Sequence, residues 1–344
     1  MEYRTLGRTG VKVSPLCLGT MMLGAWGNTD HDDSIKIIRT ALDAGINFID
    51  TADAYAAGES EEIVGKAIAG RRDDVVLATK VHFPMGDGAN MSGNSRRWII
   101  QECENSLRRL GTDYLDLYQI HRPDPGTDID DTLGALSDLV HQGKVRYLGC
   151  STFPSSQIVE AQWSAQRRRS ERFVCEQPPY SILARGIESE VLPVCQNYGM
   201  GVISWGPLSA GWLSGKWRKD APADTLKSHR AERTPARYDL SIPGNQAKLD
   251  AVDALAGVAA DAGISLVELS VAFVIRHPAV TAAIIGPRTM EQLQTQLGAP
   301  AVHLSDDVLD AIDAIVPPGT NLNSGDAGYS PPWITQAALR RRAS

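Results

Sequence analysis

The sequence predicts a (β/α)8 barrel, and two observations support this fold class. Short apolar or β-branched runs alternate with longer amphipathic stretches along most of the 344 residues. Strands that alternate with helices form parallel sheets with right-handed crossovers, and eight such units close into a barrel. The alternative is an open doubly wound sheet. A G-x-G-x-x-G fingerprint would favour that sheet, but none lies between a predicted strand and a predicted helix.

The strands are predicted from short runs that are rich in apolar and β-branched residues. An N-terminal β-hairpin is expected around Tyr3–Leu6 and Val11–Val13, with its turn between Gly7 and Gly10. The barrel strands are predicted at Leu16–Gly19, Asn47–Asp50, Val75–Lys80, Leu115–Gln119, Val145–Gly149, Arg172–Glu176, Gly201–Ser204 and Ala282–Ile285.

The helices are predicted from apolar residues at helical spacing and from capping residues at their ends. Gly111, for example, is a plausible C-cap after a long amphipathic stretch. Helices are predicted at Asp32–Ala44, Ser60–Ala69, Ser95–Leu110, Asp130–His141, Ser155–Ala165, Glu188–Asn197, Gln246–Ala262, Leu266–Arg276 and Met290–Leu297, with an extra C-terminal helix at Ser305–Ile315.

Two stretches interrupt the alternation of strands and helices. The first, from Gly215 to about Asn245, follows the seventh barrel strand and has no clear period. A connection of that length is usually a functional lid or a mobile loop. The second runs from Pro317 to Pro332 and is rich in Pro, Gly, Asn and Ser. No interdomain linker or repeat stands out, so we expect one domain over residues 1–344.

Composition limits the class of protein. The formal net charge of −7 argues against a nucleic-acid surface, which is usually basic. The five cysteines form no C-x-x-C pair, which argues against a disulfide framework and against a metal site. There is no signal-peptide core and no apolar run near the roughly 20 residues of a membrane span. We therefore expect a cytoplasmic protein without nucleic-acid or membrane partners; monomer and homo-oligomer both stay open.

Four ionisable residues follow predicted strands in a pattern that suggests a proton-donating site. Asp50 ends the second barrel strand, and Tyr55 lies five residues further on. Lys80 ends the third strand, and His121 follows the fourth. The carboxyl ends of the strands form the active-site face of a (β/α)8 barrel, so the four side chains should lie on one face.

These residue types suit the reduction of a carbonyl group. Hydride transfer leaves negative charge on the carbonyl oxygen, which a positioned acid must neutralise. A free tyrosine has a pKa of about 10, and a nearby ammonium lowers it. We therefore expect Tyr55 to be the acid, with its pKa lowered by Lys80. Asp50 would hold Lys80 in an ion pair, and His121 would orient the substrate oxygen.

The residue sequences and the order of these segments, including the stretch from Phe48 to Tyr55, resemble those of the aldo-keto reductase superfamily. The resemblance runs from about Tyr3 to about Gly298. It is closest to the branch that includes bacterial and plant reductases and the β subunits of voltage-gated potassium channels. It implies that the matching Asp, Tyr, Lys and His are catalytic and that NADPH lies extended across the barrel mouth.

The resemblance also implies where the nicotinamide lies. Ser151 and Thr152 stand after the fifth strand, where family members commonly carry Ser-Asn beside the nicotinamide carboxamide. Thr152 is thus a departure from the family pattern. Gln177 would bind the same carboxamide, and Trp205 would stack on the nicotinamide ring.

The phosphates have two predicted sites. The Gly-rich turn after the seventh strand suits pyrophosphate through its backbone N–H groups. A helix begins just after the eighth strand, and helix N-termini attract phosphate. Arg288, near that start, suits the 2′-phosphate because its planar fork binds bidentately, which favours NADPH over NADH. Gln292 matches the family pattern near the adenosine, and Gln296 stands where Asn is common. The expected cofactor contacts are Gly19, Thr20, Asp50, Ser151, Thr152, Gln177, Trp205, Gly206, Pro207, Leu208, Gly211, Leu213, Lys216, Gly286, Arg288, Gln292 and Gln296.

The expected substrate is a small carbonyl compound with an apolar or aromatic part, because aromatic residues lie near the predicted mouth: Trp26, His82, Phe83 and Trp98. The main prediction is an NADPH-dependent reductase of aldehydes or ketones. An alternative is a redox-sensing regulatory subunit that resembles the potassium-channel β subunits. A hydrolytic barrel would need two facing carboxylates, such as Asp50 and Asp53, and would leave the cofactor segments unexplained.

Overall fold

The computed structural model describes residues 1–219, 231 and 233–340, and at its centre is a closed barrel of parallel strands. An antiparallel hairpin precedes it, formed by β1 (Arg4–Thr5) and β2 (Lys12–Val13). The barrel strands are β3 (Leu16–Gly19), β4 (Phe48–Asp50), β5 (Val76–Val81), β6 (Leu115–Ile120), β7 (Val145–Ser151), β8 (Phe173–Gln177), β9 (Gly201–Trp205) and β10 (Ala282–Ile285).

The strand order confirms the predicted fold class. Each barrel strand pairs with the next along the chain, and β10 pairs with β3 to close the ring. All eight predicted barrel strands are present, and none of their ends is displaced by more than two residues. This accuracy follows from the largely apolar runs that parallel strands require when both faces of the sheet are covered.

The helices surround the barrel, and most of them match the prediction. They are α1 (His31–Asp43), α2 (Glu59–Ile68), α3 (Arg96–Leu110), α4 (Ile129–His141), α5 (Ser155–Arg168), α6 (Val191–Tyr198), α7 (Pro243–Asp261), α8 (Leu266–Arg276), α9 (Met290–Leu297), α10 (Asp306–Ile315) and α11 (Pro332–Thr335). Ser95 caps α3 by accepting from the N–H of Trp98, and Gly111 ends the helix with φ of 63°.

One predicted helix is wrong at its start. The stretch predicted as Glu188–Asn197 divides into a 3-10 turn, Gly186–Glu188, and the helix α6. Glu190 between them has non-helical angles, with φ of −138°. Pro193 accounts for the shift, because a proline lacks an N–H group and is tolerated in the first turn of a helix.

The N-terminal hairpin closes the amino-terminal end of the barrel. Leu6 and Val13 belong to the apolar cluster that fills the barrel interior, together with residues such as Phe48 and Ile203. A Cβ at Gly7 would lie 2.6 Å from the backbone nitrogen of Gly201, so the hairpin packs against the start of β9 without any gap. The opposite, carboxyl end is therefore the face left for a site.

The long connection after β9 is shorter than predicted, because α7 already begins at Pro243. Residues 220–230 and 232 of the predicted lid lie outside the described residues. The described ends of the connection are packed: the rings of Trp212 and Trp217 lie 4.3 Å apart, and Tyr238 stacks on Trp217 at 5.2 Å. Trp212 and Trp217 are thus core residues.

Among the described residues, no single helix is long and apolar enough to cross a membrane. Only α7 and α8 taken together pass that test, and they meet at a bend of 92°. All five cysteines are free and buried.

Candidate active site

Lys80 lies at the centre of the candidate site. Its side chain, on β5, is fully buried. Its Nζ donates to Oδ2 of Asp50 at 2.6 Å, to the carbonyl oxygen of Thr51 at 2.8 Å and to the hydroxyl of Tyr55 at 3.2 Å. An ammonium has three donors, so all of them are used. Burial alone would lower the pKa of Lys80, but the charges of Asp50 and Tyr55 outweigh it and the pKa is raised.

Asp50 is held on its other side by two amides. Its Oδ1 accepts from Nε2 of Gln119 at 3.2 Å and from Nε2 of Gln177 at 2.8 Å. Nε2 of Gln177 also donates to Oε1 of Gln119 at 3.3 Å. Gln177, predicted at the nicotinamide carboxamide, therefore has its amide hydrogens directed at Asp50 and Gln119. Gln119 was missed by the sequence analysis, although a glutamine inside an apolar strand run is itself a signal.

Tyr55 follows β4 on an irregular turn. The next residues, Ala56 and Ala57, have φ of 48° and 55°, a left-handed conformation that is unfavourable for alanine. The Tyr55 ring lies 6.1 Å from the ring of Trp26 and 5.8 Å from that of His121. A strained turn between these rings and Lys80 is the kind of local strain that functional sites retain.

The pKa of Tyr55 differs in direction from the sequence-based expectation. Burial raises it above its ordinary value of 10, although Lys80 and Arg122 act in the opposite direction. The loss of hydration thus outweighs the nearby ammonium. Tyr55 keeps its proton at neutral pH and can donate it.

His121 lies directly after β6 and is only 6% exposed. Burial, with the positive charges of Lys80 and Arg122 nearby, holds its pKa well below 6.5. The imidazole is therefore neutral at pH 7, and a neutral imidazole donates a single hydrogen bond. Its Nδ1 has no partner among the described residues.

The aromatic residues predicted to line a substrate pocket divide into two groups. Phe83 lies 4.8 Å from the ring of His121, and His82 lies 5.2 Å from Phe83 with its Nδ1 bound to Asn94. Together with Trp26 they lie around Tyr55 and His121, and all three are partly exposed. Trp98 instead lies on the buried face of α3 and is fully enclosed in the core, so it offers no surface to a substrate.

The segment expected to hold the nicotinamide begins at Ser151, the last residue of β7. Ser151 donates to the carbonyl oxygen of Gln177 at 2.9 Å, and the N–H of Thr152 donates to the same carbonyl at 3.1 Å. Thr152 has φ of 60°, which is rare for a β-branched residue. Asparagine adopts this conformation more readily than threonine does.

Glu176 supports this turn and was not predicted. It is fully buried, and its Oε1 accepts from the N–H of Phe153 at 3.1 Å. Burial raises its pKa to about 8. Its Oε2 has no partner among the described residues, which fits a carboxyl group that is protonated at neutral pH.

Trp205 ends β9 at the other side of the mouth. Its Nε1 is buried and has no partner in the described part of the chain. A Cβ at Gly328 would lie 2.8 Å from the Trp205 ring and 2.9 Å from the Thr152 side chain. The C-terminal stretch therefore lies across both residues.

The turn after β9 offers an irregular backbone and open space. Ser209, Ala210 and Gly211 have φ of 47°, 58° and 97°. A Cβ at Gly206 or at Gly211 would meet no atom within 4 Å. Pro207 and Leu208 belong to the same turn, and Lys216 beyond it is exposed.

Two predicted cofactor residues have no available side chain. Thr20 is fully buried, with its hydroxyl bound to the carbonyl of Asp50 and to Ser60. Leu213 is also fully buried in the core. Their backbone N–H groups are also used, because Thr20 donates to the carbonyl of Asp50 and Leu213 donates to the carbonyl of Leu208. Gly19, beside Thr20, is buried in β3.

The turn after β10 leads into α9. Exposed Gly286 opens it, and the carbonyl of Arg288 accepts from Asn28, another residue that was not predicted. Gln292 accepts from the N–H of Arg288 at 2.8 Å, and Gln296 donates to the carbonyl of Gln292 at 2.6 Å. In residues 1–219, 231 and 233–340, no carboxylate lies within ion-pair distance of Arg288.

The fold and the site together place the chain in a class: a (β/α)8 barrel with a group of ionisable side chains at the carboxyl ends of its strands. The model of the aldo/keto reductase family matches residues 15–317, and the chain belongs to this family. The family predicted from the sequence is confirmed.

Three relatives illustrate the range of the family. The chain is 42% identical to "Uncharacterized oxidoreductase YrpG" of Bacillus subtilis (strain 168), over 92% of this chain and 96% of that protein. It is 37% identical to "Aldo-keto reductase YhdN" of the same organism, over 86% and 87%. It is 36% identical to "Probable voltage-gated potassium channel subunit beta" of Oryza sativa subsp. japonica, over 92% and 97%.

Proposed function

We propose that the protein reduces aldehydes or ketones to alcohols with NADPH, and that Tyr55 is the general acid. The observation that carries this proposal is the position of the Lys80 ammonium, 3.2 Å from the Tyr55 hydroxyl and 2.6 Å from Asp50. This geometry stabilises the negative charge that Tyr55 acquires when it gives up its proton. His121, being neutral, is suited to hydrogen-bond the substrate oxygen without competing for that proton.

The proton and electron balance is complete with these groups. When bound, NADPH supplies the hydride to the carbonyl carbon. The carbonyl oxygen takes the phenolic proton of Tyr55 and becomes the alcohol hydroxyl. The tyrosinate that remains is held next to Lys80 until solvent returns a proton. Asp50, fixed by Gln119 and Gln177, keeps the ammonium of Lys80 in place throughout.

The residues around the mouth fit NADPH. Trp205 has a buried, unpartnered Nε1 and a partly exposed ring beside Thr152. The open turn around Gly211 suits a pyrophosphate, and Arg288 lacks a carboxylate partner in the described parts of the chain. A guanidinium without a carboxylate partner near a helix N-terminus is suited to the 2′-phosphate that distinguishes NADPH from NADH.

A second candidate function is suggested by the resemblance to the rice protein named as a potassium channel subunit. In that case the same site would bind NADPH and report its redox state to a partner, with slow turnover. A hydrolytic site is not favoured, because Asp53 is fully buried. Asp50 is also engaged in the ion pair with Lys80, so neither carboxylate is free to act on a substrate.

The test is the oxidation of NADPH with para-nitrobenzaldehyde, followed by absorbance, in the wild type and in Tyr55→Phe. We expect turnover in the wild type and a loss of about a hundredfold or more in Tyr55→Phe, the range for a general acid. The affinity for NADPH, measured by its fluorescence, should be kept in the variant. Tyr3→Phe is the matched control, because the Tyr3 ring is exposed on the opposite side of the barrel.

The outcomes separate the candidates. Equal turnover in the wild type and Tyr55→Phe would remove Tyr55 as the acid. Tight NADPH binding without turnover on a range of aldehydes would favour the regulatory subunit. No binding of NADPH would overturn both.

A further inference from the structure

Arg122 carries a charge that the mechanism above does not use. It directly follows His121 and is partly buried. In the described ranges 1–219, 231 and 233–340, no carboxylate lies within ion-pair distance of it, whereas Arg109 and Arg185 each bind two carboxylates. A partly buried charge without a counter-charge is costly, so an unpaired arginine at a site calls for a ligand.

The surroundings place Arg122 at the rim of the candidate active site. Its Nη1 donates to the carbonyl of His121 at 2.6 Å and lies 3.5 Å from the hydroxyl of Ser151. Its guanidinium carbon is 5.7 Å from the ring centre of Phe83, which in turn is 4.8 Å from His121. Arg122 therefore lies between the predicted substrate pocket and the segment expected to hold the nicotinamide.

The remaining donors of Arg122 are free for a ligand. Both hydrogen bonds above use Nη1, and within the part of the chain that the structure describes Nε and Nη2 donate to no protein acceptor. A guanidinium presents its donors in a planar fork that matches a carboxylate in two parallel hydrogen bonds. The fixed Nη1 orients that fork.

The net charge around the site also favours an anion. The positive charge of Lys80 is paired with Asp50, and His121 is neutral. Glu176 acts on Arg122 from the side of β8, but burial raises its pKa to about 8, so it is mostly protonated at pH 7. Arg122 is thus the unbalanced charge among these groups.

We infer that Arg122 binds a carboxylate on the substrate, so that the protein prefers aldehydes or ketones that carry a carboxylate at a short distance from the carbonyl group. This inference rests on the proposed reductase function and specifies its substrate class. Arg122 would then set specificity, while Tyr55 and His121 act on the carbonyl oxygen. Phe83 would pack against the part of the substrate between the two groups.

The test compares two aldehydes of nearly equal shape, para-formylbenzoate and its neutral methyl ester, in the wild type, Arg122→Met and Arg122→Lys. We expect the ratio of kcat/KM for the acid to that for the ester to fall by about tenfold to a hundredfold in Arg122→Met, the range for charge-assisted hydrogen bonds. Arg122→Lys keeps the charge but loses the planar fork, so its ratio should lie between those of the wild type and Arg122→Met. Arg276→Met is the control, because Arg276 is exposed at the amino-terminal end of β10.

Two results would overturn the inference. An equal loss on both aldehydes would mean that Arg122 only supports the carbonyl of His121 and the hydroxyl of Ser151. A clear preference for para-formylphenyl phosphate over the carboxylate would assign the site to phosphate instead.

A binding measurement keeps the inference testable if no aldehyde is reduced. Benzoate binding to the protein with NADP+ is measured by calorimetry in the wild type and Arg122→Met. We expect the dissociation constant to rise by about tenfold in the variant. An unchanged constant would overturn the carboxylate assignment, whereas absent turnover with an Arg122-dependent affinity would count against the reductase proposal alone.

Discussion

The fully buried Nζ of Lys80 lies 3.2 Å from the hydroxyl of Tyr55, and no other donor of that ammonium is left free. The two groups therefore share a dry environment in which a charge on either one is felt strongly by the other. Burial raises the pKa of Tyr55 while Lys80 opposes that rise. The acidity of the site thus depends on how Lys80 is held.

Replacing Lys80 should show its contribution to the stability of the fold and its contribution to turnover as two separate effects. Lys80→Met leaves Asp50 buried without its counter-charge, so the free energy of unfolding should fall by about 3–5 kcal/mol. Turnover should fall by about a hundredfold or more. In the double variant Asp50→Asn/Lys80→Met, the stability should largely return and the turnover should not. Urea unfolding and aldehyde reduction check this, with exposed Lys36→Met as the control.

The second prediction concerns stability in acid. The pKa of His121 is well below 6.5 in the folded protein, so at acidic pH the unfolded chain binds more protons at this residue. Its contribution is fully present above about pH 6.5 and is lost as the pH falls towards the folded pKa. His121→Asn should therefore lose less stability than the wild type between about pH 7.5 and 5. Urea unfolding measures both slopes; the same slope in both proteins would contradict the assignment, and exposed His303→Gln should behave like the wild type.

Thr152 should be a point of stored strain. Its φ of 60° is unfavourable for a β-branched side chain, and Asn tolerates this region better. Thr152→Asn should therefore raise the free energy of unfolding by about 0.5–1 kcal/mol. Thermal unfolding tests this, with Thr29→Asn as a control at an exposed position whose φ is not positive. A destabilised Thr152→Asn would show that the contact of the Thr152 methyl group near Gly328 matters more than the backbone angle.

Ionisation of Glu176 should lower the free energy of unfolding as the pH rises. Its folded pKa of about 8 lies above the ordinary 4.5, so the folded protein binds more protons here. The stabilising contribution is complete below about pH 4.5 and is lost as the pH rises to about 8. Glu176→Gln removes the ionisation and should flatten the fall in stability between about pH 4.5 and 8. Unfolding by urea across this range measures the effect; exposed Glu291→Gln should leave the slope as in the wild type.

The barrel is predicted well from the sequence because the strands are largely apolar runs. The sequence also places Asp50, Tyr55, Lys80 and His121 at or just after the ends of predicted strands. It could not predict burial. Trp98 lies near the predicted start of a helix, where it was expected to line the pocket, but its side chain is buried on the inner face of α3. The sign of the Tyr55 pKa shift also depends on desolvation, which no local pattern reports. Gln119 and Gln177 meet at Asp50 only because the barrel closes.

The closing pair of strands has a consequence for how the protein is made. Strand β3, near the start of the chain, pairs with β10, which contains Ile285. The hairpin that seals the bottom of the barrel packs on Gly201, again far along the chain. A ribosome therefore releases most of the sequence before either contact can form. The early strands therefore have unpaired edges until β9 and β10 are synthesised. Because unpaired strand edges promote aggregation, folding in the cell should depend on protection of the nascent chain.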